Sequence, residues 1–227
     1  MIGGSWLRAA VDRLAADGFV AYPTETVWGL GACADRPAAI ERLLKWKRRP
    51  SDAAMSILVP SADAAEELGC SFGESARNLA AAFWPGPLTL VVACDRRYSS
   101  GVVGESGTLG LRCSSHPVAR ALAVELARAG LGPLTSTSMN RSGEAPARDW
   151  AAAERLVAEG AGSGPEEPLL VGAEGADAGG GAPSSVVDCT RETPEIVRIG
   201  AIEARRLEEI WGGSPRLQGS DTRETRR

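Results

Sequence analysis

The residues of this sequence that could do chemistry are cations and hydroxyls, and they fall where periodic segments end. Lys47 and Arg49 close a helical stretch, with Arg48 between them. Thr108 and Arg112 stand four apart in a run that alternates as a strand, so they share a face. Ser136, Ser138 and Asn140 alternate beyond another strand, again on one side. Thr24 and Thr26 follow the first strand, Ser184 and Ser185 open a late one, and Arg198 ends the next. Each has an ordinary explanation alone, because Ser and Thr cap turns, Arg covers surfaces and Asn tolerates left-handed backbone. Together they supply point charges, guanidinium forks and hydroxyl donors, the set a polyanion-binding pocket needs. The expected ligand is phosphorylated.

Lysine usage sharpens one position. Lys45 and Lys47 are the only lysines among 25 basic residues. Lys45 lies on a different face of the same helix end and suits its C-terminal dipole, a task Arg does equally well. A lysine ammonium is compact and sits on a flexible stem, whereas a planar guanidinium demands a fork geometry, so Lys47 is the lysine left to explain.

Other chemistries are poorly supplied. No GxxxxGK[ST] run occurs, which excludes a P-loop, and no GxSxG elbow occurs. Gly29-x-Gly31-x-x-Ala34 imitates a dinucleotide fingerprint, but TETVW intervenes between the strand and the first glycine. The single histidine, His116, precedes Pro117 at a helix start and reads as a cap or surface residue, which leaves Ser–His or metal–His chemistry little to work with.

The elements that must position these residues alternate between helix and strand. Helices are expected over Ser5 to about Asp17 (closed by Gly18), Arg36–Trp46, Ala62–Leu68, Ser75–Phe83, Pro117–Ala129 and Asp149–Glu159. Strands are expected in FVAYPTET as far as Pro23, at 55–59, 88–94 and 108–113, at the start of PLTSTS, in LLV, in SSVVDC and in EIVRI. Residues 96–107 read as a loop, and 172–183 as a mobile Gly/Ala-rich one. The expected class is α/β, a single domain with a twisted, mixed open sheet and flanking helices. Residues 1–210 form that domain in this reading, and 211–227 a polar, disordered tail.

Composition fits a globular chain of 227 residues. A net charge of −4 argues against a surface that grips nucleic acid throughout, though not against a local basic pocket. There is no apolar run of membrane-spanning length and no secretory leader, so the expectation is a cytoplasmic protein without a membrane partner. Five scattered cysteines without a CxxC pair suggest neither a disulfide framework nor a zinc site, and are expected to act as small apolar residues.

Seven ordered blocks, YPTETVWGLG, KWKRRPSD, FWPGPLTLV, TLGLRCSSHPVARAL, GPLTSTSMNRSGEAP, PSSVVD and EIVRIGAI, resemble the motifs of the YrdC-like threonylcarbamoyl-AMP synthases. The match runs from about Val20 to Ile202. The resemblance implies a twisted α/β fold around a deep, positively charged cavity. It also implies an enzyme that joins L-threonine, bicarbonate and ATP into threonylcarbamoyl-AMP with release of pyrophosphate. A separate transferase complex then passes the threonylcarbamoyl group to adenosine 37 of tRNA. The family signature Lys-x-Arg with a distant Ser-x-Asn falls on Lys47, Arg49, Ser138 and Asn140. The roles carried over place Lys47 and Arg49 on the phosphates as catalytic residues, with Thr108, Ser138, Asn140 and Arg198 on the nucleotide side. Thr24, Arg112, Ser136 and Ser184 become the threonine contacts, with Arg112 gripping the carboxylate. Mg²⁺ is expected to travel with the ATP phosphates rather than in a protein cage.

Departures from the pattern are Trp28 where Tyr is usual, Ala53-Ala54 for a polar-Pro pair, Met139 for Ala and Ser185 for Thr. Only Trp28 costs the site a hydroxyl. The chain ends about 25 residues after the last block, which reads as the short form of the family. Two rival readings use the same residues. One is a non-catalytic RNA-binding or ribosome-assembly module; the other is a carbamoyl-transfer domain of the hydrogenase-maturation type, normally part of a much longer chain. The sequence does not speak to oligomeric state.

Overall fold

The computed structural model describes residues 4–50, 54–98, 101–102, 107–160, 166–172, 178–179 and 181–211. In chain order the elements are α1 (Ser5–Ala15), β1 (Val20–Tyr22), β2 (Gly29–Gly31), α2 (Pro37–Lys47), β3 (Ser56–Leu58), α3 (Ala62–Glu67), β4 (Cys70–Ser71), α4 (Glu74–Phe83) and β5 (Leu88–Cys94). They continue with β6 (Thr108–Arg112), α5 (Pro117–Arg128), β7 (Leu134–Ser138), α6 (Trp150–Ala158), β8 (Leu169–Leu170), β9 (Ser185–Asp188), β10 (Glu195–Arg198) and α7 (Ala204–Trp211).

The strands join into one mixed sheet in the order β10-β9-β5-β6-β3-β7-β2-β1-β8, with β4 added to β5. The pairs β3/β6, β5/β9 and β1/β8 are parallel and the rest antiparallel. The expected mixed α/β sheet is therefore the fold. Both faces are covered, and β1 shows it within three residues. Val20 and Tyr22 pack with Leu14, Leu122 and Leu126 of α1 and α5. Phe19 and Ala21 face the larger core that holds Ile40, Leu43 and Leu79 of α2 and α4. Burial at period two on both sides is what a covered sheet demands.

Helix ends follow local chemistry. Pro37 and Pro117 occupy first turns, where a missing N–H costs nothing. Asp149 caps α6 by accepting from the Ala152 N–H at 2.7 Å, and Ser61 caps α3 in the same way at 3.1 Å. His116 Nδ1 accepts from the Val118 N–H at 3.2 Å, so the only histidine is a helix cap, as its place before Pro117 suggested. Burial lowers its pKa, which favours the neutral acceptor this bond requires.

Three elements were not anticipated: β2, the two-residue β4, and α7, whose Leu207 is buried. The strand β2 reads GLG and has no β-forming pattern. Its glycines serve close approach instead. A Cβ at Gly31 would stand 2.3 Å from the Thr135 carbonyl oxygen, and one at Gly29 would stand 2.7 Å from the Tyr22 ring. With β2 paired antiparallel to β1 and β7, these glycines are strand residues and not a phosphate-binding turn. At the end of α1, where Gly18 was expected to close the helix, Asp17 takes the positive φ (56°). Gly18 is needed there for space, since its Cβ would meet Arg13 Cδ at 2.2 Å.

All five cysteines are free thiols. Cys70 and Cys94 are nonetheless neighbours, directly opposite across β4 and β5 with sulfurs 2.9 Å apart. No helix among the described residues is long and apolar enough to cross a membrane. The expected tail falls outside the described residues from 212 onward. Of the 172–183 loop, 173–177 and 180 also lie outside them.

Candidate active site

The pleat assembles the site. In the β5/β6 ladder Thr89 pairs with Arg112, Val91 with Gly110 and Ala93 with Thr108. Val186 of β9 pairs with Thr89, and Arg198 of β10 with Val186. A row Arg198–Val186–Thr89–Arg112 thus crosses four adjacent strands with its side chains on one face. Further along, Ser56 of β3 pairs with Ser136, and Gly29 of β2 with Ser138. These positions form the floor of a cavity of about 490 Å³. Gly110 keeps the floor open, because a Cβ there would press on the Ser56 Cβ at 3.1 Å.

Eight of the ten residues given site roles by the resemblance line this cavity: Arg49, Thr108, Arg112, Ser136, Ser138, Asn140, Ser184 and Arg198. They come from three strands, β6, β7 and β10, and from three loops. Against these three guanidinium groups, Glu144 is the one acidic residue among those lining the cavity.

Lys47 and Thr24 do not reach the cavity wall. Lys47 is 2% exposed, and its ammonium donates to the Ser138 carbonyl at 2.5 Å, the Asn140 carbonyl at 3.0 Å and Asn140 Oδ1 at 3.0 Å. An ammonium has three protons, and all three are used. Asn140 Oδ1 also accepts from Ser138 Oγ at 2.7 Å, while Asn140 Nδ2 donates to the Glu144 carbonyl at 2.7 Å. The Ser138–Asn140 turn is therefore pinned from behind by Lys47. Its pKa is lowered to about 7 by burial, with the Arg49 and Arg141 guanidinium groups adding to the effect. The carbonyl oxygens around it pull the other way.

Arg49 reaches the wall because Arg48 takes a left-handed conformation (φ 53°) and ends α2. Its Nη2 donates to the Ala54 carbonyl at 3.0 Å and its Nη1 to Thr137 Oγ1 at 3.3 Å, leaving a buried Nε without a partner. Arg198 forks onto the Ser184 carbonyl from Nε (3.1 Å) and Nη2 (2.9 Å), and Ser184 Oγ meets Thr89 Oγ1 at 2.9 Å. Arg112 is gathered by the turn after β1. Its Nη2 donates to Thr24 Oγ1 at 3.2 Å, to Thr26 Oγ1 and to Glu25 Oε1 at 3.1 Å. Thr24 thus backs the guanidinium, and its own hydroxyl proton goes to the Val27 carbonyl at 2.6 Å.

Trp28 lines the wall, as its place in the motif implied, but sequence reasoning missed Ser56, Thr89, Thr137 and Glu144. Thr89 was within reach, since it alternates in phase with Val91 on a recognised strand. The others depend on strand register, which sequence does not supply. Trp28, the departure from Tyr, is fully buried and meets Trp150 edge-on at 5.7 Å. Met139 turns into the core between two wall residues. Among the described residues no cluster of three His, Cys, Asp or Glu side chains could hold a metal ion.

The arrangement offers three guanidinium groups and a hydroxyl-rich floor to a ligand with several anionic groups. Comparison with known proteins agrees. The family model Sua5_yciO_yrdC, described as "Telomere recombination", matches residues 12–200. A putative threonylcarbamoyl-AMP synthase of Mycobacterium tuberculosis (strain ATCC 25618 / H37Rv) is 35% identical over 204 residues, covering 90% of this chain and 88% of the relative. The threonylcarbamoyl-AMP synthase of Stenotrophomonas maltophilia (strain K279a) is 41% identical over 146 residues, 63% of this chain and 75% of the relative. Among solved structures, P. abyssi Sua5 complexed with L-threonine superposes with a TM-score of 0.79 at 30% identity. That match covers 91% of this chain and 57% of the P. abyssi chain. E. coli YciO shares the fold, with a TM-score of 0.71 at 22% identity over 88% of this chain and 92% of that one.

Proposed function

The chain belongs to the Sua5/YciO/YrdC family, and from that premise we propose that it is a threonylcarbamoyl-AMP synthase, making threonylcarbamoyl-AMP and pyrophosphate from L-threonine, bicarbonate and ATP. The observation that carries the reading is the cavity floor, where Arg49, Arg112 and Arg198 converge with Ser136, Ser138 and Ser184. The relatives' names and the threonine held by the P. abyssi protein support it.

In this reading the amine of threonine takes up bicarbonate-derived CO₂ as a carbamate. A carbamate oxygen attacks the α-phosphorus of ATP, and pyrophosphate leaves. Charge builds on phosphoryl oxygens, so catalysis rests on positioning and fixed positive charge. Arg49, Thr108, Ser138, Asn140 and Arg198 face the nucleotide phosphates, while Arg112, Ser136 and Ser184 face threonine. Lys47 is assigned a changed role: it holds the Ser138–Asn140 turn in place and does not itself grip phosphate. Thr24 likewise acts through Arg112. Mg²⁺ would enter on the ATP phosphates, neutralising charge there, and Glu144 is the wall carboxylate it could meet. The product, a reactive mixed anhydride, is passed on for modification of adenosine 37 in tRNA by a separate transferase.

The test is pyrophosphate release in the presence of ATP, bicarbonate and threonine. Release that requires all three supports the synthase. Tight RNA binding without threonine-dependent release would replace it with the RNA-binding reading.

A further inference from the structure

We propose that Glu25 is a positioning residue for threonine recognition, acting as the counter-ion that orients Arg112 toward the cavity. The inference rests on the synthase reading and adds a residue to it.

The Arg112–Glu25 pair is enclosed, with side chains 8% and 15% exposed. Surface pairs such as Arg36–Asp17 and Arg96–Asp35 leave each partner 33–41% exposed. A guanidinium taken out of water needs a compensating charge and filled hydrogen bonds, and Glu25 supplies the charge. Its two oxygens are divided. Oε1 accepts from Arg112 Nη2 at 3.1 Å, and Oε2 accepts from Ser114 Oγ. Ser114 Oγ in turn accepts from the His116 N–H at 3.2 Å, which ties the carboxylate to the start of α5. From the other side, the Gly179 N–H donates to the Thr24 carbonyl at 3.1 Å and the Gly181 N–H to the Thr26 carbonyl at 3.0 Å, fixing the turn that carries Glu25. Burial pushes the Glu25 carboxyl up, but Arg112 and then the Ser114 hydroxyl outweigh it and hold the pKa below its ordinary value. The group stays ionised.

The consequence for the substrate is geometric. Thr24, Glu25 and Thr26 all take Nη2 of Arg112, while its Nε is buried and has no partner. The three acceptors share the two protons of Nη2, so the guanidinium is anchored through that nitrogen where Arg112 lines the cavity. Glu25 is not among the residues lining the cavity, so its loss should act through Arg112 and, in the synthase reading, on threonine.

The experiment is steady-state pyrophosphate release by the full chain, titrating threonine and ATP separately in wild type, Glu25→Gln, Ser114→Ala, Arg112→Lys and the Glu25→Gln/Arg112→Lys double variant. Gln keeps the shape and removes the charge. A charge-assisted hydrogen bond is at stake, so Glu25→Gln should raise the threonine KM by about ten-fold or more, with the ATP KM within about two-fold of wild type. Ser114→Ala should raise the threonine KM in the same direction by a smaller factor. In the double variant the loss should not exceed that of Arg112→Lys alone, the signature of a residue that works through another. An unchanged or lower threonine KM in Glu25→Gln overturns the proposal, as does full additivity in the double variant. Equal rises in both KM values would mark a general loss of structure and also overturn it, and Ser114→Ala decides the matter if Glu25→Gln does not fold. If wild type releases no pyrophosphate in response to threonine, the synthase reading fails first and this inference falls with it.

Discussion

Lys47 has three protons and three oxygens to receive them, the Ser138 and Asn140 carbonyls and Asn140 Oδ1. Lysine usage and motif position singled the residue out, but its contacts could not be read there, because which side of a wall a side chain lies on depends on strand register far along the chain. The buried ammonium has a thermodynamic signature. Its pKa is about 7 in the folded protein against an ordinary value of 10.5. Between those values the unfolded chain holds a proton that the folded one releases, so this group makes stability rise with pH across the window and fall as pH returns to about 7. Urea unfolding at several pH values should show a steeper rise for wild type than for Lys47→Met, and equal slopes would refute the shift. Arg49 makes the complementary case. It bridges Thr137 Oγ1 and the Ala54 carbonyl through two nitrogens, which a single ammonium cannot do. Arg49→Lys should raise the ATP KM by about ten-fold in the same pyrophosphate assay, because a point charge replaces a fork.

At the scale of elements, periodicity located the helices α1 to α6 and the longer strands to within a few residues, and missed α7. Caps such as Asp149 and the first-turn prolines were readable because capping is local chemistry. Asp149→Ala should cost about 1 kcal/mol of unfolding free energy by chemical denaturation. What could not be read was β2, since a strand made of Gly-Leu-Gly exists for its neighbours' sake. The same cause hid β4, which is two residues long and paired only to β5. Gly31→Ala would drive a methyl into the Thr135 carbonyl at 2.3 Å. It should destabilise the protein by about 2 kcal/mol or more, since a packed sheet centre has little room to yield. A variant of wild-type stability would show that β2 can move.

At the scale of the molecule, the sequence carried the class of fold and most of the inventory of the site, but not the strand order that joins them. Eight chosen residues meet in one cavity because β9 inserts between β5 and β10 and because β7 links the two halves of the sheet. That convergence makes the folded state the binding-competent one. ATP at about a hundred times its dissociation constant should therefore stabilise the chain by about 2.7 kcal/mol, or about 5–10 °C in Tm for a chain of this size. No shift with ATP would contradict the assignment of the cavity.

The order of the strands also sets a schedule. Leu88 waits for Ser185 and Val20 for Leu169, so the sheet gains these partners only from segments synthesised long after β1 and β5. Folding dominated by such distant pairings belongs to the slow end of the range, milliseconds to seconds. A nascent chain that has emerged only as far as β8 already carries the hydroxyls of β7 and two of the three guanidinium groups. It cannot yet close the row that ends at Arg198. Until β9 and β10 have emerged, a growing chain has no complete site with which to sequester nucleotide.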